Sequence, residues 1–107
     1  MTDDVLLRLA ATIRARRADS AEKSYTRQLL DAGPARCAKK FGEEAVEAVI
    51  AAAAQTDAEL KAEAADVLYH LLVLLESRNV ALQDVLRVLD GRMGTSGLAE
   101  KASRGKS

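Results

Sequence analysis

A chain of 107 residues makes one domain, large enough to bury a single core. Lys+Arg and Asp+Glu balance at 16 each, and there are only three aromatic residues, so neither a basic field for nucleic acid nor a stacking platform is expected. The lone Cys37 excludes a disulfide framework and a zinc-ligand spacing, no apolar run approaches the ~18 residues of a membrane span, and no signal-peptide pattern opens the chain. A cytoplasmic protein is expected, with no membrane or nucleic-acid partner.

Twenty-one Ala and 15 Leu favour helices that approach closely, and a core so thin per residue makes burial across a subunit interface reasonable. In chain order, Val5, Leu6, Leu9 and Ile13 recur at helical spacing and predict a helix from about Asp3 to Arg17. Polar Asp19–Lys23 reads as a connection, followed by a short helix from about Ser24 to Asp31. Gly33-Pro34 marks a sharp boundary, Gly just past one helix and Pro in the first turn of the next. A third helix is predicted over about Pro34–Gln55. Thr56-Asp57-Ala58-Glu59 is a capping box opening a fourth that runs to about Arg78, with Asn79 ending it. A fifth covers about Leu82–Arg92. From Met93 the chain is rich in Gly, Ser and charge, so residues 93–107 are predicted to be a flexible tail. No segment alternates with period two. The fold class is all-α, a bundle of four to five helices in a single domain over 1–107, with helices three and four as an antiparallel hairpin.

The chemistry concentrates in Glu43-Glu44-Ala45-Val46-Glu47 and Glu63-Ala64-Ala65-Asp66. Helical positions three apart share a face, with Cβ atoms about 5–6 Å apart. Counted outward from the turn at Gln55-Thr56, Glu47 lies about eight residues back and Glu63 about eight forward, so at ~1.5 Å per residue both motifs sit at nearly one height. Glu44, Glu47, Glu63 and Asp66 can therefore converge. Four converging carboxylates need a cation between them, and all-oxygen ligation suits Mg²⁺ or Mn²⁺ ahead of zinc. The bland alternative is a solvated acidic face. Glu43, about 100° around the helix from Glu44, stands open as a further ligand, a general base or a solvated residue.

Other residues are weighed beside these. Arg36, Lys39 and Lys40 precede the acids by one to two turns and suit phosphate oxygens. Their competing reading is a solvated face with i,i+4 pairs such as Lys39–Glu43 and Lys40–Glu44. Gly42 costs its helix about 1 kcal/mol relative to Ala; it reads either as tolerated or as a point of close approach by a phosphate or another helix. His70 shares the stripe of Glu63 and Asp66, yet a partly buried histidine with one satisfied nitrogen is favoured over a ligand. Cys37 reads as a packing residue. Ser24-Tyr25-Thr26 at a helix start serves anion binding or simple capping equally. Lys101 and Arg104 lie in the tail, which reads as a flexible end or as a flap over a substrate.

Taken together, these residues resemble the phosphoribosyl-ATP pyrophosphohydrolase family over about Val5–Arg104. The resemblance rests on Ser24-Tyr25-Thr26 with Leu29-Leu30, Gly33-Pro34, Lys40-Phe41-Gly42-Glu43-Glu44-Ala45-Val46-Glu47, Glu63 through Leu72 with its Leu-Tyr-His, and Gly97-Leu98 to Arg104. The paired carboxylate motifs belong to the whole all-α nucleoside-triphosphate pyrophosphatase superfamily; the other segments narrow the match. Phe41 departs from it, standing where a smaller aliphatic residue is expected. The resemblance implies hydrolysis of 1-(5-phosphoribosyl)-ATP to 1-(5-phosphoribosyl)-AMP and pyrophosphate, the second step of histidine biosynthesis. It implies Mg²⁺ on Glu44, Glu47, Glu63 and Asp66, with Glu43 or a ligand taking the proton. It further implies phosphates fixed by Lys39, Lys40, Lys101 and Arg104, and a homodimer. The zinc-dependent cyclohydrolase that some relatives carry is expected to be a separate chain, since one cysteine does not supply such a site. Two rivals remain: a housekeeping nucleoside-triphosphate pyrophosphatase, and a nonenzymatic helical dimerisation module.

Overall fold

The computed structural model describes residues 4–94, and among them every regular element is helical. Five helices follow in order: α1 Val5–Ala15, α2 Tyr25–Ala32, α3 Pro34–Ala54, α4 Asp57–Ser77 and α5 Leu82–Met93. The all-α expectation is met. The expected tail, with Lys101 and Arg104, lies outside the described residues except for Met93, which closes α5, and Gly94.

The helix ends show why the elements stop where they do. The Asp4 carboxylate accepts from the backbone N–H groups of Leu6 and Leu7 at 2.9 and 3.3 Å, so α1 begins after it rather than at Asp3. Instead of running on to Arg17, α1 tightens into a 3-10 turn over Arg16–Ala18. That turn delivers the Arg17 guanidinium to the last turn of α4, where it donates to the Glu76 carboxylate at 2.5 Å and to the Glu76 carbonyl at 2.6 Å. Arg27 secures the following connection by donating to the carbonyls of Arg17 and Asp19 at 3.0 and 2.5 Å. The capping box forms as expected: Thr56 Oγ1 accepts from the Glu59 N–H, and the Glu59 carboxylate accepts from the Thr56 N–H at 3.1 Å. Asn79, at φ 58°, turns the chain out of α4 in the left-handed region.

The core takes at least one residue from each helix: Ile13, Leu29, Cys37, Leu72 with Val73, and Leu82. Burying a large apolar side chain of this kind contributes roughly 1.5–3 kcal/mol. This core lies at one end of the α3–α4 hairpin, near Gly33. The two 21-residue helices, joined only by Gln55 and Thr56, continue past it for several turns and pack chiefly on each other there, around buried Ala51. No helix among the described residues is long and apolar enough to cross a membrane.

Candidate active site

The hairpin brings three of the four expected carboxylates together. Glu44 on α3 and Glu63 and Asp66 on α4 offer oxygens that all lie within 4.8 Å of one another. Glu44 and Glu63 are half-buried and Asp66 is exposed. Their meeting follows from the two-residue turn, which places the middle of one helix beside the early part of the other. Glu47 stands outside this cluster and is exposed, but its charge is felt at Glu63. Partial desolvation first, then the negative charges of Asp66, Glu47, Glu44 and Glu59, push the Glu63 carboxyl above its ordinary range.

Among the described residues, one cation touches the cluster. The Lys40 ammonium lies 3.6 Å from Glu44 Oε2 and 3.8 Å from Glu43 Oε1, so Lys40 pairs with Glu44 as the i,i+4 spacing suggests. Glu43 is exposed and faces away from the trio, over a groove between α2 and α3. That groove, of about 330 Å³, is walled by Tyr25 and Gln28 on one side and by Arg36, Lys39 and Lys40 on the other. Arg36 and Lys39 have no carboxylate partner among the described residues. Three converging carboxylates, of which only Glu44 is paired with a lysine among the described residues, leave negative charge to be met by a ligand. All the donors are hard oxygens, which fits a divalent cation of the Mg²⁺ type.

Several secondary readings resolve. His70 is 7% exposed, and its Nδ1 lies 2.8 Å from the Asp66 carbonyl. A carbonyl only accepts, so Nδ1 carries the proton, and the buried Nε2 has no hydrogen-bond partner among the described residues. This is the histidine with one satisfied nitrogen. Cys37 is buried and its thiol donates to the Leu29 carbonyl at 3.2 Å, a packing role. Ser24 caps α2 by accepting from the Arg27 N–H at 3.1 Å. A Cβ placed on Gly42 would meet nothing within 4 Å, so no helix among the described residues approaches it.

What the sequence reading missed is an aromatic brace. The Tyr69 hydroxyl and Thr26 Oγ1 share a hydrogen bond of 2.5 Å. The His70 ring stands edge-on to Tyr69 at 4.8 Å and to Tyr25 at 6.3 Å between centroids. The brace ties α2 to α4 beside the carboxylates. Its one sequence signal is that two of the three aromatic residues and the single histidine fall in motifs that flank the acids.

The family model described as phosphoribosyl-ATP pyrophosphohydrolase matches residues 6–93. The chain is 58% identical over 101 residues to a phosphoribosyl-ATP pyrophosphatase of Cereibacter sphaeroides, covering 94% of this chain and 98% of that protein. It is 59% identical over 100 residues to the enzyme of that name from Rhodobacter capsulatus, covering 94% and 97%. To phosphoribosyl-ATP pyrophosphatase 1 of Rhodopseudomonas palustris it is 59% identical over 96 residues, covering 90% of each. The chain belongs to the phosphoribosyl-ATP pyrophosphohydrolase family.

Proposed function

We propose that this protein hydrolyses 1-(5-phosphoribosyl)-ATP to 1-(5-phosphoribosyl)-AMP and pyrophosphate, the second step of histidine biosynthesis, at the carboxylate cluster of α3 and α4. The observation that carries the reading is the convergence of Glu44, Glu63 and Asp66 within 4.8 Å in a chain of this family. Those three, with Glu47 one turn along α3, would hold Mg²⁺. Bound there, the ion supplies the positive charge that neutralises the polyphosphate and the coordinated water's acidity.

The chain's own residues do the rest. Lys40, already within 4 Å of Glu44, is placed to meet phosphate oxygens beside the cluster, and Lys39, on the same helix and lining the groove, is a further residue for substrate phosphate. In-line attack needs the phosphates fixed as well as neutralised. As water attacks phosphorus and the anhydride P–O bond breaks, the water's proton needs a carboxylate. Glu43 or one of the cluster carboxylates takes it. Lys101 and Arg104 are assigned to substrate phosphate on the resemblance alone.

A homodimer completes the reading. Val46, Val49 and Ile50 on α3 are 57%, 67% and 45% exposed, and Leu68 on α4 is 42% exposed. Val46, Val49 and Ile50 fall at i, i+3 and i+4 and form an exposed apolar stripe on α3 of the kind a second copy covers.

The test is pyrophosphate release from phosphoribosyl-ATP, ATP and dUTP, with and without Mg²⁺, for wild type and Glu47→Gln. Rapid Mg²⁺-dependent release from phosphoribosyl-ATP alone, abolished by the substitution, is expected. Preference for a simple triphosphate would move the protein to a housekeeping role. Indifference to Mg²⁺ and to Glu47 would make it an interaction module.

A further inference from the structure

We propose that the groove between α2 and α3 holds the 5-phosphoribosyl end of the substrate, with Arg36 and Lys39 binding its remote phosphate. The assignment rests on the pyrophosphohydrolase reading and says how the site tells phosphoribosyl-ATP from ATP.

The substrate carries phosphate at two ends, a triphosphate on one ribose and a single phosphate on the other, with adenine between them. A cluster that takes the triphosphate cannot also take the remote phosphate. A second, separate cationic site is therefore required for the larger substrate, and ATP has no use for it. Arg36, Lys39, Lys40 and Glu43 fall at i, i+3, i+4 and i+7 and form one stripe on α3 that leads to Glu44. Eight residues separate Arg36 from Glu44, a span of roughly 12 Å along the helix. Lys40 sits at the junction, in contact with Glu44 and lining the groove. Beyond it, Arg36 and Lys39 bring positive charge with no carboxylate of the described residues in ion-pair contact, and the one acid lining the groove, Glu43, is paired with Lys40. A guanidinium suits the bidentate geometry of a phosphate monoester.

The opposite wall is suited to the uncharged middle of the ligand. Tyr25 is half exposed in the groove and presents an apolar ring. His70 stands edge-on behind it, and His70 is itself held by the carbonyl of Asp66. The wall for the base or ribose is thereby referenced to the helix turn that carries a cluster carboxylate, which keeps the two ends of the site in register. The volume, about 330 Å³, falls in the range of small-molecule sites.

The experiment compares wild type, Arg36→Gln and Arg36→Lys, with phosphoribosyl-ATP and ATP as substrates. Ribose 5-phosphate, titrated without divalent cation and followed by amide chemical shifts, serves as a probe of binding alone. Arg36→Gln is expected to raise KM for phosphoribosyl-ATP by about 10- to 100-fold, the loss typical of a hydrogen bond to a charged group. It should leave kcat within about threefold and move ATP kinetics far less, so discrimination collapses. Arg36→Lys should recover part of the loss. Ribose 5-phosphate should shift the amides around Arg36 and Tyr25 in wild type and not in Arg36→Gln. Equal losses on both substrates, a loss confined to kcat, or shifts elsewhere would overturn the assignment. A wild type inactive on phosphoribosyl-ATP would overturn the pyrophosphohydrolase reading instead, and the ribose 5-phosphate titration would still decide the groove.

Discussion

The two halves of the α3–α4 hairpin are built from similar residues and meet different fates. Towards Gly33, Val73 is 1% exposed, enclosed with Ile13, Leu29 and Leu82 from the other helices. Towards Gln55, Val49 is 67% exposed, and only Ala51 is buried. Composition does not separate these halves; neighbours do. Near Gly33 the other helices complete the core within the chain. Near the turn nothing among the described residues covers the apolar face, and a stripe such as Val46, Val49 and Ile50 carries a hydrophobic cost until something does. The carboxylate cluster lies between the closed half and the open one.

Breaking the cluster should have the largest effect. Glu44→Gln or Asp66→Asn should lower kcat/KM by about 10³, as loss of a principal charge-stabilising group does. Thermal stability of the metal-free protein should not fall, because each substitution removes negative charge from a crowded site; pyrophosphate release beside a melting curve checks both. Next comes the closed half. Ile13→Ala should cost about 3 kcal/mol through the cavity it opens, at any protein concentration. The open half should respond differently. Val49→Glu should leave the chain folded yet convert a dimer to a monomer in sedimentation velocity, and remove any dependence of Tm on concentration. A wild type already monomeric at micromolar concentration would break the comparison, because the open face would then need no copy.

A smaller effect sharpens the closed half by pH. Burial pushes the Cys37 thiol above its ordinary value near 9.0. A pKa raised by folding contributes stability that is full below 9.0 and is lost as pH rises through the folded value. Denaturant midpoints should therefore fall on the alkaline side of 9.0, and Cys37→Ala should show a flatter limb there. Tyr69, also pushed up by burial from 10.0, adds the same sign at higher pH. The smallest effect concerns the turn. Thr56→Ala removes the cap of α4 and should cost about 1 kcal/mol. Hydrogen bonds from the Thr56 backbone and hydroxyl hold Glu59 below its ordinary 4.5, so its contribution is present above 4.5 and is lost as pH falls. A melting series from pH 7 to 3 should show the Thr56→Ala difference shrinking.

Local chemistry was readable in the sequence. Thr56 with Glu59, Gly33 with Pro34, and Asn79 each act within four residues, and each ends or begins a helix where expected. The meeting of Glu44 with Glu63 and Asp66 was readable because a two-residue turn reduces a tertiary question to counting. Periodicity could not say that Glu47 stands outside the cluster, since Glu44 and Glu47 share a face and the rotation of α3 against α4 is set by packing. Nor could it show Arg17 on Glu76, 59 residues away, or Tyr69 on Thr26, 43 away. Such contacts leave no local trace. The groove belongs to this class, as its walls come from two helices whose angle only the folded chain defines.

That angle has a single joint. Gly33 ends α2, donating its N–H to the Leu30 carbonyl at 3.2 Å, and begins α3, its own carbonyl accepting from Cys37 at 3.1 Å. Its φ of 95° is open to glycine and strained for other residues, and Pro34 follows at once. With Gly33 alone between the helices, the separation of Tyr25 and Arg36 across the groove is set by the backbone angles of one residue, so lengthening this connection would change the groove before it changed either wall.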